Sequence, residues 1–100
     1  MLIVAERINS SRKSVAQAME VRDKGFIQNE ARIQVEAGAG YIDVNAGSFI
    51  GEETELLKWV VEVVQETTDV PLCIDSPDPE VIKAVLPLLH RPPMVNSITM

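Results

Sequence analysis

The chain has 100 residues, of which 46% are apolar, and its net charge at pH 7 is −6. This composition is typical of a globular protein, and the acidic balance argues against nucleic acid or an anionic membrane as a partner. No apolar run approaches the roughly 20 residues of a membrane span, and the N-terminus lacks the basic region of a signal peptide. The single cysteine, Cys73, excludes an internal disulfide, so we expect a reduced, cytoplasmic protein.

The first half of the chain predicts two strands separated by two helices. The apolar run Leu2–Ala5 is the first strand, and Asn9–Ser11 then supplies loop and N-cap residues. A helix follows, Asp23–Gly25 interrupts it, and a second helix runs from about Phe26 to Ala37. Strand two is Tyr41–Asn45.

The second half predicts two further helix–strand units. The acidic residues Glu52–Glu55 open a helix, because carboxylates favour the positive end of the helix dipole. Strand three is Leu72–Asp75, and Asp78–Pro79 then forms a strong helix start. Pro87 should stop or kink that helix before strand four, Met94–Val95. The order β-αα-β-α-β-α-β favours a parallel sheet covered by helices.

Polar side chains stand where each apolar run ends. They are Glu6 and Asn9 after the first run, Asn45 and Asp75 closing the second and third, and Asn96 after the fourth. The carboxyl ends of parallel strands meet at one rim, where α/β proteins bind ligands. This rim offers carboxylates and amides but no nucleophile triad and no phosphate loop, so it predicts recognition of a polar heterocycle by hydrogen bonds. Side chains alternate between the two faces of a strand, so the sequence alone does not decide which face of strand two carries Asp43.

Two α/β folds compete for this order of elements. A doubly wound fold usually places a glycine-rich phosphate loop after its first strand, but Glu6–Ser11 contains no glycine. Gly38 and Gly40 precede a strand instead of following one. A (β/α)₈ TIM barrel is therefore preferred. Because such a barrel needs about 250 residues, we expect residues 1–100 to be the N-terminal portion of a single barrel domain.

Four motifs at the strand ends resemble the pterin-binding methyltransferase family. They are Glu6-Arg7-Ile8-Asn9, Tyr41-Ile42-Asp43-Val44-Asn45-Ala46-Gly47, Cys73-Ile74-Asp75-Ser76 and Val95-Asn96-Ser97. The resemblance covers the whole chain, as the first three βα units and the fourth strand of the family's (β/α)₈ barrel. It implies methyl transfer between methyltetrahydrofolate and the cobalt of a corrinoid protein. The folate domain of cobalamin-dependent methionine synthase and dihydropteroate synthase are related more distantly.

The resemblance also implies roles for particular residues. Asp75 and Asn96 match the family's pterin-binding Asp and Asn, and Asn45, Glu6 and Asn9 complete or orient the binding site. The later pterin-binding Asp and the Asn that contacts the reacting nitrogen are expected beyond residue 100. Folate is then the substrate, cobalamin is carried by a partner corrinoid protein, and no metal ligands are assigned to this chain.

Other interpretations stay open at this point. A dihydropteroate synthase-like enzyme is disfavoured because Asn9 is followed by Ser10–Lys13 instead of the Pro-Asp-Ser-Phe of that family. Glu6, Asp43 and Asp75 could form a Mg²⁺ site, although the amides at the rim argue against it.

A non-catalytic hypothesis is that the chain is a barrel fragment that self-associates. Its inner strand faces, Ile3, Ile42, Cys73 and Val95 or their neighbours, would lack an opposing layer. Its two edge strands would also stay unpaired, so we expect a homodimer that buries those edges.

Several of these residues also have ordinary structural explanations. Asp75–Asp78 could serve as loop and cap chemistry alone, and Glu52–Glu55 is expected to be a solvated helix start. His90 is expected in a solvated loop, and Trp59 is expected to contribute packing.

Overall fold

The order of elements along the chain is the predicted β-αα-β-α-β-α-β. A computed structural model describes residues 4–10, 12–47 and 51–96, with the backbone alone for residues 4–7 and 96. The strands are β1 (Val4–Asn9), β2 (Tyr41–Asn45), β3 (Leu72–Asp75) and β4 (Met94–Asn96). The helices are α1 (Lys13–Glu20), α2 (Lys24–Glu36), α3 (Glu53–Gln65) and α4 (Pro79–Val85), and a 3-10 turn spans Leu86–Leu88. Expectations about residues 2, 3 and 11 lie outside the described residues.

The sheet has the strand order of a barrel. Its four strands are all parallel and lie in the order β1-β2-β3-β4. Right-handed crossovers between consecutive neighbouring strands place every connecting helix on the same face, whereas a doubly wound sheet reverses its order part-way. The preference for a TIM-barrel type of sheet over a dinucleotide-binding one is therefore confirmed. Among the described helices, none is long and apolar enough to cross a bilayer.

The hydrophobic core lies between the sheet and its helices. Ile42, Val44 and Ile74 are fully buried and pack in one cluster with Leu56 and Val60 of α3. The intervening residues of the strands, Asp43 and Cys73 among them, therefore point to the face without helices. This settles the face of Asp43. It also corrects the expectation that Ile42 and Cys73 share the inner face, because one position in register separates them and successive side chains alternate.

The first strand is longer than its apolar residues predict. It continues through Glu6 to Asn9 instead of ending at Ala5. Its register against β2 shifts between Ala5 and Ile8, where three steps along β1 match two along β2. The expected cap at residues 9–11 is also displaced, since the N-cap of α1 is Arg12 and its side chain makes no capping bond.

The remaining helix ends follow local chemistry. Asp23 caps α2 by accepting a hydrogen bond from the Phe26 N–H at 3.1 Å, so this helix begins two residues earlier than expected. Asp78 accepts from the Glu80 N–H at 2.9 Å, and α4 begins at the next residue as predicted. Before Pro87 the α-helix gives way to the 3-10 turn, as proline requires.

Candidate functional site

Polar residues form one transverse row at the carboxyl end of the sheet. Asn9 is paired in register with Asn45, and Asp75 is paired with Asn96. The residues immediately before Asn45 and Asp75 are also paired, which places these two side by side. Four neighbouring strands at about 4.8 Å spacing give the row a span of about 14 Å. Asn45 and Asp75 lie on the face without helices, which is the inner face of a barrel.

Glu6 stands apart from this row. It lies three positions before Asn9, inside β1 and at the irregularity in register. The prediction that Glu6 closes the first strand is therefore wrong in position, because the strand runs on past it. The side chains of Glu6 and Asn96 are outside the described residues, so their roles stay predictions.

The carboxylate of Asp75 is available to a ligand. It is half-buried, and among the described residues none donates a hydrogen bond to it or forms an ion pair with it. The buried carboxylate of Glu30 differs, since Arg12 lies 3.8 Å from it. Buried and half-buried carboxylates usually have such partners. Asp75 therefore presents an acceptor pair to whatever occupies the rim.

The amide of Asn45 has a fixed orientation. Its Oδ1 accepts from the backbone N–H of Gly47 at 2.8 Å and from the Ser10 hydroxyl at 3.3 Å. A backbone N–H can only donate, so the atom facing Gly47 must be the oxygen. The Nδ2 group is left to donate elsewhere, and it has no acceptor in the described part of the chain. Asn45 thus offers a donor beside the acceptors of Asp75.

A second pair of side chains joins the start of α3 to the loop that follows β3. Ser76 is fully buried, and its hydroxyl donates to Oε2 of Glu53 at 2.9 Å. The same hydroxyl oxygen accepts from the Asp78 N–H at 3.2 Å. A Cβ added to Gly47 would lie 3.4 Å from Asn45 Oδ1 and 3.6 Å from Glu53 Oε2, so these groups are close neighbours.

Sequence reasoning missed Glu53 and Ser76 as parts of this region. Glu53 was expected to be a solvated helix-start residue, and Ser76 a loop residue. The available signal was positional, because Glu53 begins the helix after β2 and Ser76 directly follows Asp75. Both positions lie above the rim in a βα unit.

The other residues considered in the sequence analysis lie away from the row of polar residues. His90 is exposed, as expected, and it lines a groove of about 320 Å³ near the C-terminal end of α3, at the opposite end of the sheet. Trp59 is half-buried against the core, with the Arg22 guanidinium carbon 5.7 Å from its ring centre. Asp43 is buried and level with Cys73, two positions below Asp75 in the sheet. Among the described side chains, no three His, Cys, Asp or Glu residues come together as a metal site.

Comparison with known proteins assigns the family. The model of the family described as pterin binding enzyme matches residues 5–100. The chain belongs to the pterin-binding enzyme family. The match includes β2, β3, β4 and all but the first residue of β1, and therefore the whole row of polar residues at the strand ends.

Individual relatives refine this assignment. The chain is 50% identical over 99 residues to the methylcorrinoid:tetrahydrofolate methyltransferase of Eubacterium limosum, covering 99% of this chain and 36% of that protein. A shorter match, 40% identical over 47 residues, is to the gamma subunit of the acetyl-CoA decarbonylase/synthase complex of Methanocaldococcus jannaschii, covering 47% of this chain and 10% of that subunit. Nearly the whole chain matches this methyltransferase, and it spans about a third of that protein's length.

Proposed function

We propose that residues 1–100 are the N-terminal part of a pterin-binding (β/α)₈ barrel that transfers a methyl group between methyltetrahydrofolate and the cobalt of a corrinoid. The corrinoid is carried by a partner protein and acts as a substrate of the barrel. The similarity to a methylcorrinoid:tetrahydrofolate methyltransferase supports the reaction. The observation that carries the site is the row formed by Asn9, Asn45, Asp75 and Asn96.

The chemistry of the row suits the edge of a pterin. A pterin is an aminopyrimidinone whose edge alternates N–H donors with ring-nitrogen and carbonyl acceptors. The Asp75 carboxylate accepts two N–H groups at once, and the oriented amide of Asn45 donates to an acceptor beside them. The amide of Asn96 supplies a further donor and acceptor next to Asp75. Asn9 completes the row, and Glu6, three positions earlier in β1, orients it.

This part of the protein positions the folate substrate. Transfer of the methyl group from the folate nitrogen to Co(I) breaks the C–N bond and leaves its electron pair on nitrogen. A tertiary amine is a poor leaving group, so that nitrogen must receive a proton or a hydrogen bond. We expect the group responsible beyond residue 100. The residues of the row hold the pterin ring in place so that the methyl group faces the incoming cobalt.

Replacement of Asp75 tests the site directly. In the complete protein, Asp75→Ala should weaken methyltetrahydrofolate binding by about 5- to 150-fold, because two ligand donors lose their acceptor at a cost of about 1–3 kcal/mol. Isothermal titration calorimetry measures this change. Asp69→Ala is the matched control, since Asp69 is exposed and lies before β3, at the opposite end of the strand. Unchanged affinity in Asp75→Ala would rule out this site.

The corrinoid part of the proposal has a separate test. The purified complete protein should show no cobalamin absorbance and should exchange methyl groups with an added corrinoid protein. Bound cobalamin in the purified protein, or folate binding without methyl exchange, would contradict the assigned reaction while leaving the pterin site in place. Formation of dihydropteroate would instead favour the synthase.

A further inference from the structure

We infer that Glu53 is a positioning residue for the pterin site, acting through Ser76. Its carboxylate holds the loop after β3 against the start of α3, beside the loop after β2, and so sets the separation of Asp75 and Asn45. This inference rests on the proposed function, because the two residues that it positions are the proposed pterin ligands.

Ser76 is held by two hydrogen bonds of its side chain. Its side chain is fully buried, and its hydroxyl hydrogen is directed to Glu53 Oε2 at 2.9 Å while its oxygen accepts from the Asp78 N–H at 3.2 Å. A buried hydroxyl that makes both bonds is held in one orientation. The residue directly after Asp75 is therefore fixed through its side chain by Glu53, which lies 23 positions away in the sequence.

The Asp75 carboxylate has no hydrogen bond or ion pair of its own within the described residues. The direction of that carboxylate then depends on its own backbone, and Ser76 is the adjacent anchored residue. On the other side, Glu53 Oε2 lies 3.6 Å from the Cβ position of Gly47, whose N–H orients the Asn45 amide. Glu53 thus lies between the two loops that directly follow the proposed ligands Asn45 and Asp75.

The neighbouring acids show that this contact is specific to Glu53. Glu53 and Glu55 both lie in the first turn of α3, where each favours the helix dipole. Glu55 has a largely exposed side chain, 3.9 Å from Lys58. A role confined to the helix start would be shared by these two residues, whereas the bond to Ser76 belongs to Glu53.

Kinetics of the complete protein test the inference. Glu53→Ala should raise the KM for methyltetrahydrofolate by about 5- to 30-fold with kcat within about twofold, since ground-state positioning of the folate is lost. Glu53→Gln should stay within about threefold of the unaltered KM, because its amide oxygen still accepts from Ser76. Glu55→Ala, the matched control for the helix start, should change KM by less than about twofold. A Glu53→Gln variant as impaired as Glu53→Ala would overturn the inference.

A double-mutant cycle separates action through Ser76 from a direct role. Ser76→Ala should raise the KM at least as much as Glu53→Ala, and adding Glu53→Ala to it should cause less than about a further twofold change. Additive effects in the double variant would overturn the inference, as would a normal KM in Glu53→Ala. An unaltered protein that does not bind methyltetrahydrofolate would instead overturn the proposed function.

Discussion

The oriented amide of Asn45 makes the conversion of Asn45 to Asp an informative perturbation. The two side chains have the same shape, and the aspartate Oδ1 can still accept from Gly47 and Ser10 as the asparagine oxygen does at 2.8 and 3.3 Å. What changes is the second terminal atom, which becomes an acceptor instead of a donor. A pterin acceptor at that point then loses its hydrogen bond and faces a negative charge.

The magnitude follows from that one exchanged atom. An unmade hydrogen bond in a ligand site costs about 1–3 kcal/mol, which corresponds to a Kd about 5- to 150-fold weaker. The free energy of unfolding should fall by less than about 1 kcal/mol, because both internal bonds of Asn45 survive. Asn45→Ala loses those bonds too, and should therefore lose about 1–2 kcal/mol of stability in addition to affinity.

Calorimetric titration with methyltetrahydrofolate and urea unfolding of the complete protein measure the two quantities. Asn29→Asp is the matched control, because it makes the same substitution and the same charge change on the exposed side of α2. An Asn45→Asp variant that binds folate as tightly as the Asn29→Asp control would refute the donor role. A loss of stability equal to that of Asn45→Ala would refute the assigned orientation of the amide.

Two further predictions concern stability and assembly. Gln65→Ala should lower the free energy of unfolding in urea by about 1–2 kcal/mol and leave folate affinity unchanged. The Gln65 amide donates to the Leu88 carbonyl at 2.9 Å and accepts from the His90 N–H at 2.8 Å, at the end of the sheet away from the row. A fall in folate affinity would contradict the prediction that this end of the sheet does not affect the site. Residues 1–100 produced alone should form a homodimer or larger species and transfer no methyl group. Four strands do not close a barrel, and β1 and β4 have open edges within the described sheet. A monomer in light scattering, or activity in a methyl-transfer assay, would contradict this prediction.

Local chemistry was enough to predict most elements of this chain. Strands β2 and β3 have the bounds that the sequence predicts, Tyr41–Asn45 and Leu72–Asp75, and α4 begins at the proline that follows Asp78, as expected. These features depend on neighbouring residues, because caps, proline and apolar runs act over one turn or one strand. The order of elements favours a barrel, and the sequence marks Asn45 and Asp75 as the last residues of their strands, with Asn96 directly after the fourth and Asn9 in the loop after the first.

Tertiary structure decided which of these residues stand side by side. An unbroken register from Ala5 would place Ile8, an apolar residue, next to Asn45, and the extra residue in β1 brings Asn9 there instead. The bond between Glu53 and Ser76 likewise joins residues 23 positions apart, one at the start of α3 and one in the loop after β3. No local sequence pattern specifies either feature. Strand register and loop contacts are set when α3 and the strands pack into one core, because that packing determines which face of the sheet each side chain occupies.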